Sequence, residues 1–181
     1  MTADAHSASP APALSAAIRR LQEVDLPGLE WSPDQVRYRR MFRSAYEDMR
    51  VGTRSLWVGV ADRQVVGRLF IQWNSSDLRY ADGVNRAYLY ALRVHPAWQG
   101  QGVGTRLIAA AERELCDRRF SVATLAVGQA NEAAFRLYQR LGYVIFGEDP
   151  GVWYFTDDRG SLQREEERSW LLEKRLSCEA A

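Results

Sequence analysis

The chain has 181 residues, of which 46% are hydrophobic and 26% charged. That apolar share supports a packed core and excludes a disordered chain, and the length suits a single domain. With 24 basic residues against 23 acidic ones the formal net charge is +1, which argues against a generally basic nucleic-acid binder and against bulk attraction to anionic membranes.

In chain order, Met1–Ala13 is rich in Ala, Ser and Pro and lacks the basic start and continuous apolar run of a signal peptide. Residues 1–14 are expected to be a disordered tail, 15–176 the single domain and 177–181 a short second tail. No window approaches the ~18 apolar residues that span a bilayer, so a cytoplasmic protein is expected. Ala17–Val24 suits a short strand or a helical turn, and Asp25–Trp31 a capped turn and loop. Ser32-Pro33-Asp34 opens a helix, with Ser32 as N-cap and Pro33 at the first helical position. Tyr38, Met41, Phe42, Ala45 and Met49 then recur at helical spacing.

Ser55–Val60 and Val65–Trp73 read as the two arms of a hairpin around the turn 61–64. Asn74–Asn85 is a polar loop. Ala87–Val94 is nearly continuous in apolar residues, as expected of a central strand covered on both faces. Val103–Arg119 is a strong helix, with Val103, Leu107, Ala111 and Leu115 on one stripe. Cys116 falls inside it and reads as a small buried thiol; nothing in the spacing of Cys116 and Cys178 marks them as a pair. Ser121–Val127 is a strand. Asn131 is a good N-cap for a helix over Glu132–Leu141, with Gly142 just past its end. Tyr143–Phe146 is a strand, and Trp153–Phe155 and Trp170–Leu172 look like two more, joined through a turn at 157–160. The expectation is an α/β (α+β) domain, a mixed sheet with helices on its faces.

The segment that carries chemistry is Leu92-Arg-Val-His-Pro-Ala-Trp-Gln-Gly-Gln-Gly-Val-Gly-Thr-Arg106. A buried strand ends, and Gly100, Gly102 and Gly104 alternate into a helix start. Glycines admit a ligand close to the backbone, and the unpaired first-turn N–H groups with the helix dipole favour an anion. A pyrophosphate suits such a cradle. A P-loop would need a Lys after the glycines, and a Rossmann fingerprint would need G-x-G-x-x-G with an acid in the next strand; neither is present. A plain tight strand-to-helix turn is the bland alternative.

Gln99-Gly-Gln-Gly102-Val-Gly104 resembles Q/R-x-x-G-x-G/A, the acetyl-CoA pyrophosphate loop of the GNAT N-acetyltransferases. Asn131-Glu-Ala-Ala-Phe-Arg-Leu-Tyr-Gln-Arg-Leu-Gly-Tyr143 resembles that family's second signature, N-x-x-A-x-x-x-Y-x-x-x-G-[FY]. The resemblance covers roughly residues 17–176. It implies a mostly antiparallel sheet with one splayed parallel strand pair that holds acetyl-CoA. By that resemblance Leu92, Arg93 and Val94 would bind the pantetheine arm through their backbone. Gln99, Gly100, Gln101, Gly102, Val103, Gly104 and Thr105 would take the pyrophosphate, and Asn131 would contact the cofactor. Tyr138 would be the general acid that protonates the departing thiolate, since a thiol pKa is about 8.5 and a Tyr pKa about 10.

Many relatives carry a carboxylate in the central strand, where this chain has Tyr88, Leu89, Tyr90 and Ala91. By strand alternation Tyr90 shares a face with Leu92 and Val94 and is a candidate to hold a relay water. Glu30, Asp77 and Asp82 are weaker candidates for the base. Two histidines without a clustered partner give no metal site. The implied activity is acetyl transfer to a small-molecule primary amine. A protein N-terminal or lysine acetyltransferase and a non-catalytic acyl-CoA sensor are the alternatives, and a homodimer is possible. Aromatics at Trp31, Tyr38, Phe42, Tyr46, Trp73, Trp153 and Tyr154 are divided between core and acceptor pocket. Charge is uneven: residues 91–140 carry 7 basic and 4 acidic groups, residues 141–181 carry 5 and 9. The first block suits phosphates, with Arg93, Arg106 and Arg136 near the motifs. The run Glu165–Glu167 reads as a solvated turn face that would also suit a cationic amine.

Overall fold

The structure, a computed structural model, describes residues 15–178; the whole of the expected N-terminal tail (1–14) and the last three residues lie outside them. Ala17–Arg20 forms β1, which pairs antiparallel with β2 (Arg54–Ala61). Two 3-10 segments, Glu23–Leu29 and Pro33–Tyr38, separate β1 from α1 (Arg39–Arg50). The helix expected from Ser32 therefore reaches α geometry only at Arg39. Pro33 does stand at the first position, but the Ser32 hydroxyl makes no cap bond and accepts instead from Gln35 Nε2 at 3.2 Å. The broken apolar stripe before Tyr38 leaves no continuous face to hold a longer α-helix.

β3 (Gln64–Gln72) completes the hairpin with β2 and pairs antiparallel with β4 (Arg86–Val94). Then come α2 (Val103–Asp117), β5 (Val122–Gly128), α3 (Glu132–Arg140) and β6 (Val144–Asp149). β7 (Val152–Thr156) and β8 (Leu162–Glu166) form a separate two-stranded sheet. β9 (Ser169–Arg175) lies in the main sheet, whose order is β1-β2-β3-β4-β5-β9-β6. The turn at 157–160 thus joins β7 to a strand the sequence reading left out, not to the strand at 170–172. The alternation of β8 is charged on both faces (Leu-Gln-Arg-Glu-Glu), so it carries no apolar signal. β4 takes the central place expected of it, and β4–β5 is the one parallel pair in a mostly antiparallel sheet.

The sheet is covered on both sides. α2 and α3 pack on one face around Leu107, Ile108, Leu115, Leu125 and Leu172. The 3-10 segments and α1 pack on the other around Leu29, Phe42, Leu56, Val58 and Phe70. α2 sits close because β2 and β3 offer it glycines: a Cβ on Gly67 would come within 2.8 Å of the Val103 side chain. Glu114 is buried on the same helix and is met by Ser55 Oγ at 2.7 Å, Trp57 Nε1 at 2.8 Å, Arg118 at 3.0 Å and Arg20. A buried carboxylate needs that many partners, and they lock the helix across β2.

Cys116 and Cys178 are joined in a disulfide, with Cα atoms 5.3 Å apart, which corrects the reading of Cys116 as a free thiol. Sheet register, not local spacing, makes the pair. β9 returns beside β5, and Leu176 N–H donates to Ser121 O at 2.8 Å, so residue 178 comes back to the end of α2.

Candidate functional site

β4 and β5 pair only from Arg86↔Val122 to Leu89↔Leu125, although both strands run on past these residues. Ala91 has φ +53°, a left-handed conformation rare for a residue with a Cβ. On the other side of β4, Phe70 faces Tyr90 and Arg68 faces Arg93, so Ala91 and Leu92 together oppose Leu69. This is a β-bulge, and it turns β4 away from β5. The gap is a cavity of about 190 Å³ whose lining includes Tyr90, Leu92, Leu125, Val127, Asn131 and Tyr138.

The bulge corrects the expected face of Tyr90. Tyr90 and Ala91 pack with the α1 cluster, whereas Leu92 and Val94 pack with the α2 cluster. The Tyr90 hydroxyl accepts from Arg54 Nη1, and burial pushes its pKa up. Tyr90 does line the slot, but its hydroxyl is held by Arg54.

At the end of β4, Gly100 and Gly102 have φ of +74° and +76°, and a Cβ on either would meet nothing within 4 Å. Their need is for the backbone angle, and the space beside them is open. Gly102 is the N-cap of α2 and offers no side-chain cap, which leaves the first-turn N–H groups of Val103, Gly104 and Thr105 without intrahelical partners. The side chains of Gln99 and Gln101 brace the loop instead, donating to Val94 O at 3.2 Å and Ala97 O at 2.9 Å. His95 is structural, its Nδ1 accepting from Ala97 N–H at 3.3 Å. Backbone donors at a helix start, open space over glycines and a slot with unpaired strand edges fit a thioester carried on a pyrophosphate-bearing arm.

Asn131 caps α3, accepting from Ala134 N–H at 3.2 Å, and also lines the slot. Tyr138 is buried on α3 and packs edge-on to Tyr143. Burial pushes its pKa up to about 12, so its phenol stays protonated through the neutral range. The expected base candidates are occupied elsewhere. Glu30 is paired with Arg39 at 2.6 Å and Asp77 with Arg79 at 2.7 Å. Asp82 accepts from the N–H groups of Val84, Asn85 and Arg86.

Glu167 was read only as one member of an acidic run, yet it is the carboxylate that lines the slot. It reaches there because its side chain lies against Gly128, where a Cβ would collide with it. No local signal points to this, since it depends on the β8–β9 connection crossing the end of β5. The run is not one face: Glu165 pairs with Arg37 at 2.5 Å and Glu166 with Arg164 at 2.8 Å.

Tyr38 packs against Trp153 (ring centroids 6.2 Å apart) and Phe155 (4.9 Å), joining the second 3-10 segment to the β7–β8 hairpin. Trp73 belongs to the opposite face, against Phe120 and Arg118, and leaves the list of acceptor aromatics. The charge of Arg93 acts on Asp34 and Arg68, on the α1 side of the sheet.

A mixed sheet split beside a helix-capping glycine loop defines an acyl-CoA transferase type of architecture. The Acetyltransferase (GNAT) family model matches residues 16–143, and the chain belongs to that family. It is 40% identical over 68 residues to a mycothiol acetyltransferase of Nocardiopsis dassonvillei, a match covering 38% of this chain and 21% of that one. It is 32% identical over 76 residues to the L-amino acid N-acyltransferase MnaT of Escherichia coli, covering 42% and 44%. The matches thus span less than half the length of these curated relatives. Its fold is similar to that of an N-acetyltransferase from Staphylococcus aureus Mu50, with a TM-score of 0.69 at 15% identity over 88% of this chain and 98% of the other. Among the described residues no helix is long and apolar enough to cross a membrane, and no group of His, Cys, Asp and Glu is arranged to hold a metal.

Proposed function

We propose that the chain is an acetyl-CoA-dependent N-acetyltransferase acting on a primary amine of a small molecule. The observation that carries this is the buried Tyr138, which lines the slot where β4 and β5 part. Acetyl-CoA supplies the acetyl group and the thiolate that leaves. The glycine loop from Gln99 to Thr105 binds the pyrophosphate through backbone N–H groups. The unpaired edge of Leu92, Arg93 and Val94 orients the pantetheine arm, and a backbone N–H at the bulge stabilises the oxyanion. Tyr138 gives its proton to the leaving sulfur, and Glu167 takes the proton of the attacking amine. Names of the relatives support a small acceptor: one acts on mycothiol chemistry and one on L-amino acids.

The test is thiol release from acetyl-CoA in the presence of an amine panel and a peptide panel. Release with small amines is the expected result. Release with peptides alone would move the assignment to a protein acetyltransferase. Tight binding of acetyl-CoA without any release would make the chain an acyl-CoA sensor.

A further inference from the structure

Arg68 is the one buried basic residue among the described residues, with 4% of its surface exposed. A buried guanidinium normally sits on a carboxylate. Arg68 makes no ion pair among the described residues; its hydrogen bonds run from Nη1 to Leu29 O at 2.6 Å and Gln35 Oε1 at 3.0 Å. Its Nε is buried with no partner. The side chain stacks between Trp31, 5.1 Å from its ring, and Phe42, 4.6 Å. These contacts fix the plane of the fork and leave the Nε edge free, which is one of the two edges that meet a carboxylate side-on. Burial, joined by the like charge of Arg93, draws the Arg68 pKa down to about 9.

The position matters. Arg68 faces Arg93 across the β3–β4 pair and is the neighbour of Leu69, the residue opposite the bulge. It lies with Trp31, Phe42 and Gln35 on the α1 side of the sheet. Strands are ~4.8 Å apart, so the Arg68 backbone stands about one strand from the bulge. Glu167, at the slot, is the acid at the other end.

We propose that the acceptor amine carries a carboxylate, held by the free edge of the Arg68 guanidinium. This rests on the acetyltransferase reading above. One guanidinium edge matches the two oxygens of a carboxylate side-on. Gln35 and Leu29 hold Nη1 and so fix the fork without covering its Nε.

Matched amines test this: L-phenylalanine against phenethylamine, and L-methionine against 3-(methylthio)propylamine, each with the wild type, Arg68→Met and Arg68→Lys. The wild type is expected to prefer the carboxylate partner by ~10- to 100-fold in kcat/KM, the range of charge-assisted hydrogen bonds. Arg68→Met should erase that preference through KM, with kcat little changed, and Arg68→Lys should restore part of it. The Tm of Arg68→Met should stay level or rise, since a buried unpaired charge is removed. A wild type that prefers the decarboxylated amines, or an Arg68→Met protein that keeps the preference, overturns the proposal. A thermal shift needs no turnover: the amino acids should raise the Tm of the wild type and not of Arg68→Met. A shift without thiol release would reject the enzyme reading and keep the carboxylate site. Release without preference or shift would reject the site and keep the enzyme.

Discussion

The two sides of the β4 bulge are built from different materials. On the side of α2 and α3, the slot and loop present backbone: parted strand edges, glycines at positive φ and the first N–H groups of a helix. On the side of α1, the proposed acceptor site is made of side chains from three separate stretches of chain, with Trp31 and Tyr38 in one, Arg68 in another and Trp153 in a third. The cofactor is constant across a family and can be met by a fixed backbone, whereas an acceptor is met by side chains that each chain chooses.

The division is broken most strongly by Tyr138→Phe. It is expected to lower kcat about 100-fold, the low end for a positioned acid, with KM values for both substrates unchanged. A rate that stays at the wild-type level would remove Tyr138 from catalysis. Because its pKa is raised, the phenol of the folded protein stays protonated above pH 10. The rate should therefore show no Tyr-linked loss up to pH 10. Stability from this residue is fully present below the unfolded pKa of about 10 and is lost as pH rises through about 12; a spectrophotometric phenol titration checks both.

Glu167→Gln should lower kcat/KM about ten-fold, below the usual range for a buried base because the residue is exposed. Gly102→Ala sharpens the comparison from the cofactor side. A Cβ at φ +76° costs about 1–2 kcal/mol, so the KM for acetyl-CoA should rise ~5- to 30-fold while that for the acceptor stays level. Trp153→Ala should do the reverse, raising the acceptor KM roughly three- to ten-fold, as expected for one aromatic contact, without touching acetyl-CoA binding. Initial-rate kinetics in both substrates read each case.

The same division decides what could be read in the chain beforehand. The glycine loop, the Asn131 cap, α2, α3 and the central place of β4 follow from short-range signals: glycine spacing, a capping residue, a periodic stripe and a run of apolar residues. The bulge does not, because Ala91 looks like any strand residue and its positive φ is imposed by the register with β3. That one residue reverses the face of Tyr90. β8 escaped notice because charges occupy both its faces, and Glu167 and Arg68 because their surroundings come from elements far away in the chain. Arg68 in particular sits in the second arm of the hairpin, where strand alternation alone gives no sign of Trp31, Gln35 and Phe42 closing over it.

The disulfide draws a boundary of another kind. Cys116 and Cys178 are 62 positions apart, so the bond closes a covalent ring holding β5, α3, β6, the β7–β8 hairpin and β9. The strands β1 to β4, the 3-10 segments and α1 stay outside it. Such a ring removes about 4 kcal/mol worth of freedom from the unfolded chain by loop entropy. Its effect is uneven: β9 runs between β5 and β6 and is tethered at its far end, so it cannot peel outward from the terminus. Reduction would release that end first, and hydrogen exchange would then quicken in β9 and β6 before it does in β2 and β3.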